Sequence, residues 1–326
     1  MLPRRSVSAV ATEGCVAIAM TQQNRHGAVF ARLAVSRWHF QHGPIDLLLD
    51  VDAPTDVSER CVADCWQSFQ DILPGLVSEL PALRSPASQR LPLRGPVARR
   101  MAAACQPFAD ELFITPMAAV AGAVADELIG AFRRDGVRRA SINNGGDIAL
   151  YLASGSSYTV GVWPRIDRLP HAGSQAGLDG RFVVDEAMPV RGIATSGWRG
   201  RSFSLGLADS VTVLARTAAA ADAAATLIAN AVNCDAPGIV RAPASQLKDD
   251  SDLGERQVTV HVPALTPESR LSALTGGRLE AEGFRARGHI HAAALFLQGD
   301  FVAVAPLGAE VPPGAALRDG LIAAVA

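Results

Sequence analysis

A chain of 326 residues with 49% hydrophobic side chains has the apolar material for a sizeable core, in one large domain or two. A formal charge of -2 and an isoelectric point near 6.4 supply no electrostatic attraction for nucleic acid or an anionic membrane surface, so a small molecule or another protein is the default partner. All but one of the 30 basic residues are arginine, and chemistry that needs a lysine has only Lys248 to use.

The opening, MLPRRSVSAVATEGCVAIAM, carries arginines but interrupts its apolar run with Ser, Thr, Glu and Gly, and so reads poorly as a signal peptide. No uninterrupted apolar run of about 18 residues demands a membrane span, and a cytoplasmic protein is expected. HGAVFARLAV, SRWHFQ and IDLLLDVDAP then read as strands, the last closing on the turn Ala53-Pro54-Thr55-Asp56. A helix is expected from Ser58 to about Leu73, with Thr55, Asp56 and Ser58 as capping candidates. Pro74, Pro81, Pro86, Pro92 and Pro96 divide the next stretch into short helical pieces and an exposed, arginine-bearing connection over 84–100.

TPMAAVAGAVADELIGAFRRDG has apolar residues at helical spacing, Pro116 suited to a first turn and Gly136 as a stop, which predicts a helix over 115–136. Its alanines and Gly122 leave room for another backbone or a ligand to approach. RRASINNGGDIALYL reads as a hairpin across Asn144-Gly145-Gly146. YTVGVWP and RFVVDEAMPVRGIATSG add strands, and SFSLGLADSVTVLARTA is a strand handing over to a helix that contains ADAAATLIANAV. The tail from Pro243 holds an acidic turn at 249–252, a strand in QVTVHVP, a helix in TPESRLSALTGG and a hairpin around Gln298-Gly299-Asp300. No short internal repeat is evident. Strands linked as hairpins point to an α+β fold with mixed or antiparallel sheets packed with helices rather than a parallel doubly wound sheet.

Oxygen-bearing side chains recur on the alanine-rich helix at Asp222, Thr226 and Asn230. Four-residue spacing sets Asp222 beside Thr226 on one helix face. A carboxylate and a hydroxyl so placed suit Mg²⁺, which takes oxygen ligands and completes its octahedron with water and phosphate. The same spacing also fits an ordinary solvent-facing edge. The glycine pair of INNGGDI lets a backbone press against a ring or a phosphate, or simply turns a hairpin. Thr195, Ser196 and Gly197 end a strand with hydroxyls and amides able to hold a phosphate, which Arg199 or Arg201 could neutralise.

Other constellations point to structure. His289 and His291 alternate as on one strand face without a third ligand, Asp249, Asp250 and Asp252 lack calcium-loop spacing and read as a solvated turn, and no dinucleotide-binding glycine fingerprint occurs. Five cysteines do not make a secreted disulfide framework; Cys61 and Cys65, one turn apart, read as buried helix residues, and Cys15, Cys105 and Cys234 are isolated thiols.

TPMAAVAGAVADE, INNGGDI, IATSG, and VTVLA followed by ADAAAT come in an order that resembles the ApbE superfamily, the family of FAD:protein FMN transferases, and more closely an uncharacterised prokaryotic branch of it with Thr-Pro-Met-Ala-x-Val-Ala-Gly. The resemblance implies a single ApbE-like (T-fold-like) domain over 1–326, with its motif-bearing core at about 100–235 and a strand and helix extension over 243–326. It implies a divalent metal, usually Mg²⁺, held by Asp222, Thr226 and the Val120 carbonyl. It implies a FAD or FMN site at Asn143, Gly145, Gly146 and Asp147, with Thr195, Ser196 and Gly197 matching the family's Thr-Ser-Gly. Ala121 stands where the family has a lysine, Thr115 where it has an aspartate, and Ser204 near the place of a histidine. The resemblance therefore carries Mg²⁺-assisted binding of a flavin nucleotide or other phosphorylated ligand further than it carries FMN or phosphoryl transfer. Two alternatives stand beside it: a sulfur or small-metabolite enzyme using Cys105, and a ligand-binding or assembly module without turnover.

Overall fold

The computed structural model describes residues 21–23, 27–162, 180–306 and 320–323; Cys15 and the arginine-bearing start lie outside them. β1 (Thr21–Gln23), β2 (Val29–Arg32), β3 (Arg37–His42) and β4 (Ile45–Asp52) form an antiparallel meander. In β4 the strand period of two sends Ile45, Leu47, Leu49 and Val51 inward and leaves the three aspartates on the other face.

α1 (Thr55–Ser78) begins at Pro54, whose neighbours Thr55 and Asp56 make no cap, while the Ser58 hydroxyl donates to the Thr55 carbonyl at 2.9 Å. The helix runs past the expected stop near Leu73 and through Pro74, because Ile72 and Leu76 on either side stay buried on one face. α2 (Leu80–Leu83) and α3 (Pro96–Cys105) follow. The connection between them is tied down: Glu79 accepts from the amides of Arg94 and Gly95 at 2.6 and 2.8 Å, and Arg84 pairs with Asp250 at 2.5 Å.

The single helix expected over 115–136 is broken. A 3₁₀ turn at Pro116–Ala119 leads into α4 (Val120–Leu128), a second 3₁₀ turn spans Ile129–Phe132, and Gly136 closes the segment at φ +90°. The kink lies at Ala119 (φ -126°, ψ 15°), where the first amides of α4 turn to partners outside their own helix.

β5 (Arg139–Asn144) and β6 (Asp147–Leu152) form the expected hairpin, with Gly145 and Gly146 at φ +64° and +111°. β7 (Ser157–Val162), β8 (Gly180–Asp185), β9 (Gly192–Ser196) and β10 (Ser210–Ala215) precede α5 (Ala218–Ala231). β11 (Val240–Pro243), α6 (Ala244–Leu247) and β12 (Gln257–His261) make a small side hairpin. α7 (Pro267–Ala286) does not stop at its glycine pair, because Gly276 and Gly277 are where it presses on α5 and β13 (Ala292–Leu297). A Cβ at Gly276 would lie 2.7 Å from the Ala231 carbonyl, and one at Gly277 2.8 Å from Leu295. β14 (Asp300–Val304) completes the last hairpin, and β15 (Gly320–Ala323) pairs in parallel with β7.

Ten strands form one antiparallel sheet in the order β1-β2-β3-β4-β5-β6-β9-β10-β13-β14. Within it, two units share one plan: two strands, a helical segment, then two strands. β3–β6 enclose α1 to α4, and β9, β10, β13 and β14 enclose α5 to α7. The helices cover one face of the sheet, against Leu47, Leu49, Ile142, Ala149, Ala194, Val211 and Val213. On the reverse face Ile148, Leu150, Ile193 and Leu214 meet Tyr158, Val160 and Val184 of the three-stranded sheet β15-β7-β8. The fold is α+β, as the hairpin-linked strands predict. Among the described residues no helix is long and apolar enough to cross a membrane.

Candidate functional site

The alanines of α5 let it settle onto β9, β10 and α4 at a distance that larger side chains forbid. Gly122 of α4, Gly192 of β9 and Gly206 in the loop before β10 touch its backbone directly: a Cβ on any of them would collide with Ala218, Thr217 or Ala229. Asp126 of α4 caps α5 by accepting from the Ala218 and Ala219 amides at 3.0 and 2.8 Å. The arrangement is reciprocal. Asp222 of α5 accepts from the Gly122 amide at 3.0 Å, and from Ala121, at the start of α4. Each helix therefore lends a carboxylate to the other's N-terminus, which fixes where Asp222 points.

Asp222 meets a second carboxylate. Asp147, the buried first residue of β6, is held by the Thr195 amide at 3.2 Å and lies within hydrogen-bonding reach of Asp222. Burial, reinforced by the charge of Asp222, holds Asp147 well above the ordinary aspartate range. Burial also pushes Asp222 up, to about 7, against the two α4 amides that favour its charged form. Two buried carboxylates within hydrogen-bonding reach of each other could seat a hard cation, which takes oxygen ligands.

The surroundings are polar and close. Asn144 donates to the Ala121 carbonyl at 3.1 Å, tying the hairpin turn to the start of α4, and Asn143 accepts from the Gly146 amide at 2.8 Å to hold the turn's shape. The cavity they border, about 90 Å³, gathers Ala121, Asn144, Gly145, Asp147, Thr195, Ser196, Gly197, Arg201, Asp222 and Thr226. A larger trough of about 280 Å³ beside Ser154–Ser157 has no such convergence, since its Arg138 and Arg139 both pair with Asp52.

Most of the residues singled out from sequence meet here: Gly145, Asp147, Thr195, Ser196, Gly197, Asp222 and Thr226 line one cavity. Asn143 and Gly146 act on the turn behind it. Ala121 lines the cavity, and Val120, the residue before it, packs its side chain against the core. The Thr195 hydroxyl bonds to that of Thr212 at 2.9 Å inside the sheet, so its contribution to the cavity comes through its amide on Asp147. Gly197 is small because the Asp209 carbonyl would lie 2.5 Å from its Cβ. Asn230 accepts from the Ser204 hydroxyl and the Leu205 amide at 3.2 and 2.9 Å; it holds the loop before β10 and takes no part in the cavity.

Three expectations from sequence change. The acidic turn is not simply solvated: Thr115 donates to Asp252 at 2.5 Å, which brings a carboxylate to the position where the motif resemblance lacks one, while Asp250 pairs with Arg84. His289 and His291 precede β13 rather than alternating on it, and His289 packs edge-on to Phe108 with ring centroids 5.1 Å apart. Cys105 is fully buried, donates to the Thr115 carbonyl at 3.3 Å, and is pushed up by burial and then by the charge of Asp222. That is the opposite of an activated thiol. Cys61 and Cys65 are free and buried on α1, as their one-turn spacing predicts. Sequence reasoning missed Asp126 and Asn144, because a helix aspartate and a turn asparagine carry no local sign of a partner about ninety or twenty residues away.

The archaeal UPF0280 proteins are similar to this chain. That of Methanothrix thermoacetophila is 38% identical over 143 residues, 43% of this chain and 54% of its own length. That of Methanopyrus kandleri is 34% identical over 190 residues, 56% of this chain and 71% of its own length. So the match spans about half of the first relative and about seven tenths of the second. Two structures of the flavin transferase ApbE from Vibrio cholerae, one of a mutant, superpose at TM-scores of 0.39 and 0.35 with 12% identity, over 89% and 88% of this chain and 97% and 96% of theirs. That likeness is too loose to transfer the role of any residue. A family model described as AbpE bacteria matches residues 29–303, a span that includes both units of the sheet and every residue of the cavity. The chain belongs to that ApbE-related family.

Proposed function

We propose that the cavity binds a phosphorylated small molecule, a flavin nucleotide in the first instance, together with Mg²⁺. The observation that carries this reading is the facing pair Asp147 and Asp222, two carboxylates set at the floor of a small cavity and held above their ordinary range by burial and, for Asp147, by the other's charge. Among the described residues no group of three or more His, Cys, Asp or Glu side chains forms a metal cluster. A hard, oxygen-seeking ion with water and phosphate in its shell fits two carboxylates better than zinc does.

Asp222, Thr226 and Asp147 would hold the cation, with Ala121 at the cavity wall. When bound, Mg²⁺ supplies Lewis acidity toward a phosphate oxygen. The chain's own residues do the rest: Asp126 and the glycines around α5 fix the direction of Asp222, Thr195 fixes Asp147, and Asn144 holds the turn against α4. A cavity of about 90 Å³ is well below the roughly 300 Å³ of small-molecule pockets. It suits the ion and a phosphate group, and leaves the ring system outside it.

The test is purification without added cofactor, absorbance and mass analysis of the molecules that co-purify, and titration of FMN and FAD with and without Mg²⁺. Binding that requires Mg²⁺ and is lost in Asp222→Ala and Asp147→Asn supports the reading. Failure of every nucleotide to bind, with no effect of Mg²⁺, sinks it. Turnover assays on bound FAD then separate a transferase from a module that holds its ligand without reaction.

A further inference from the structure

Arg201, in the loop between β9 and β10, is exposed and lines the cavity. Its guanidinium lies directly over Gly145, where a Cβ would collide with the Nη atom; the turn glycine at φ +64° makes the room it occupies. The neighbouring Arg199 is committed elsewhere, paired with Asp209 at 3.5 Å and stacked on Trp198 at 4.4 Å. Arg201 has no carboxylate in ion-pair contact among the described residues, and its charge reaches Asp147 across the cavity. A planar fork of donors thus lines a polar cavity with no carboxylate among the described residues to receive it.

We infer that Arg201 is the specificity-determining residue of this site, gripping the phosphate of a ligand that enters over the Gly145-Gly146 turn and so selecting phosphorylated over neutral molecules. The inference rests on the proposed binding of a phosphorylated ligand with Mg²⁺. Guanidinium and phosphate match bidentately, which gives direction as well as strength. Where Asp147 and Asp222 are ionised, they repel an anion that arrives alone. With a divalent cation offsetting both, Arg201 leaves the cavity with a net positive charge, so cation and phosphate raise each other's affinity by the same factor.

The experiment is calorimetric titration of wild type, Arg201→Gln and Arg201→Lys with Mg²⁺ alone, then with FMN and riboflavin at saturating Mg²⁺. FMN is expected to bind Arg201→Gln at least tenfold more weakly and Arg201→Lys in between. Riboflavin, which has no phosphate, should not distinguish the variants. Mg²⁺ alone should bind Arg201→Gln at least as tightly as wild type, because a nearby positive charge has gone; an unfolded variant would lose Mg²⁺ as well. FMN affinity within twofold of wild type in Arg201→Gln overturns the inference and leaves the binding proposal standing. Equal losses for FMN and riboflavin overturn it too. Wild type that fails to bind FMN in Mg²⁺ overturns both.

Discussion

The two units of the sheet share an order of elements and are packed with opposite materials. In the first, α1 is held to β3 and to the neighbouring β2 by a cluster of large rings, Phe30, Phe40, Trp66 and Phe69, with centroids 5.2 to 5.8 Å apart. In the second, α5 lies on β9 and β10 through alanines, with glycines of β9, α4 and the preceding loop in contact with its backbone. Large side chains stabilise by the area they bury and hold a helix at arm's length. Small ones let backbones meet, and the short Asp222 then reaches both the start of α4 and Asp147 on β6. The ring cluster is a scaffold, and the small-residue packing of α5 is what lets the second unit's Asp222 and Thr226 meet Ala121, Asn144 and Asp147 of the first in one site.

If that contrast is right, the two units fail in opposite directions. Phe69→Ala should cost about 3–5 kcal/mol in urea unfolding by opening a void in the ring cluster. In the second unit it is added volume that does the damage: Gly192→Val should cost about 3 kcal/mol or more, because its Cβ has only the Thr217 backbone to enter. A Gly192→Val protein within about 1 kcal/mol of wild type would break the comparison. The reciprocal caps come next. Asp126→Ala leaves two α5 amides without their acceptor, for a loss of about 1.5–3 kcal/mol, and should weaken Mg²⁺ binding at Asp222, which Asp126 never touches. Mg²⁺ affinity unchanged in Asp126→Ala would show that the clasp does not orient the site.

The carboxylate pair, Asp147 on β6 of the first unit and Asp222 on α5 of the second, predicts a pH dependence where the two units meet. Both aspartates bind protons more tightly folded than unfolded, so between about pH 4 and pH 7 the folded chain holds more protons than the unfolded one. Metal-free stability therefore falls as pH rises through that window, and Asp222→Asn should flatten the fall. Mg²⁺ should raise the melting temperature more at pH 8 than at pH 5; an equal shift at both would count against the pair as its seat. The smallest effect is expected at Asn143→Ala, about 1 kcal/mol from a lost turn hydrogen bond, with Mg²⁺ binding unchanged because Asn143 does not line the cavity.

The sequence alone carried the hairpins, whose turns are written in Asn-Gly-Gly and Gln-Gly-Asp and whose strands alternate with period two. It carried α5 and the Asp222–Thr226 pair, since helical spacing is local. Element boundaries were lost where packing outvoted the breakers: Pro74 and Gly276-Gly277 did not end their helices, because buried residues on both sides hold the segment in place. The meeting of Asp147 with Asp222, the cap from Asp126, the descent of Asp252 onto Thr115 and the choice of Arg201 over Arg199 were decided only by tertiary structure. Each joins residues from about ten to well over a hundred positions apart, through side chains whose local surroundings read as ordinary polar surface. Periodicity and turn chemistry act over a few residues and can be read along the chain. A carboxylate's partner, and with it its charge state, is set by which backbones the glycines and alanines allow to touch.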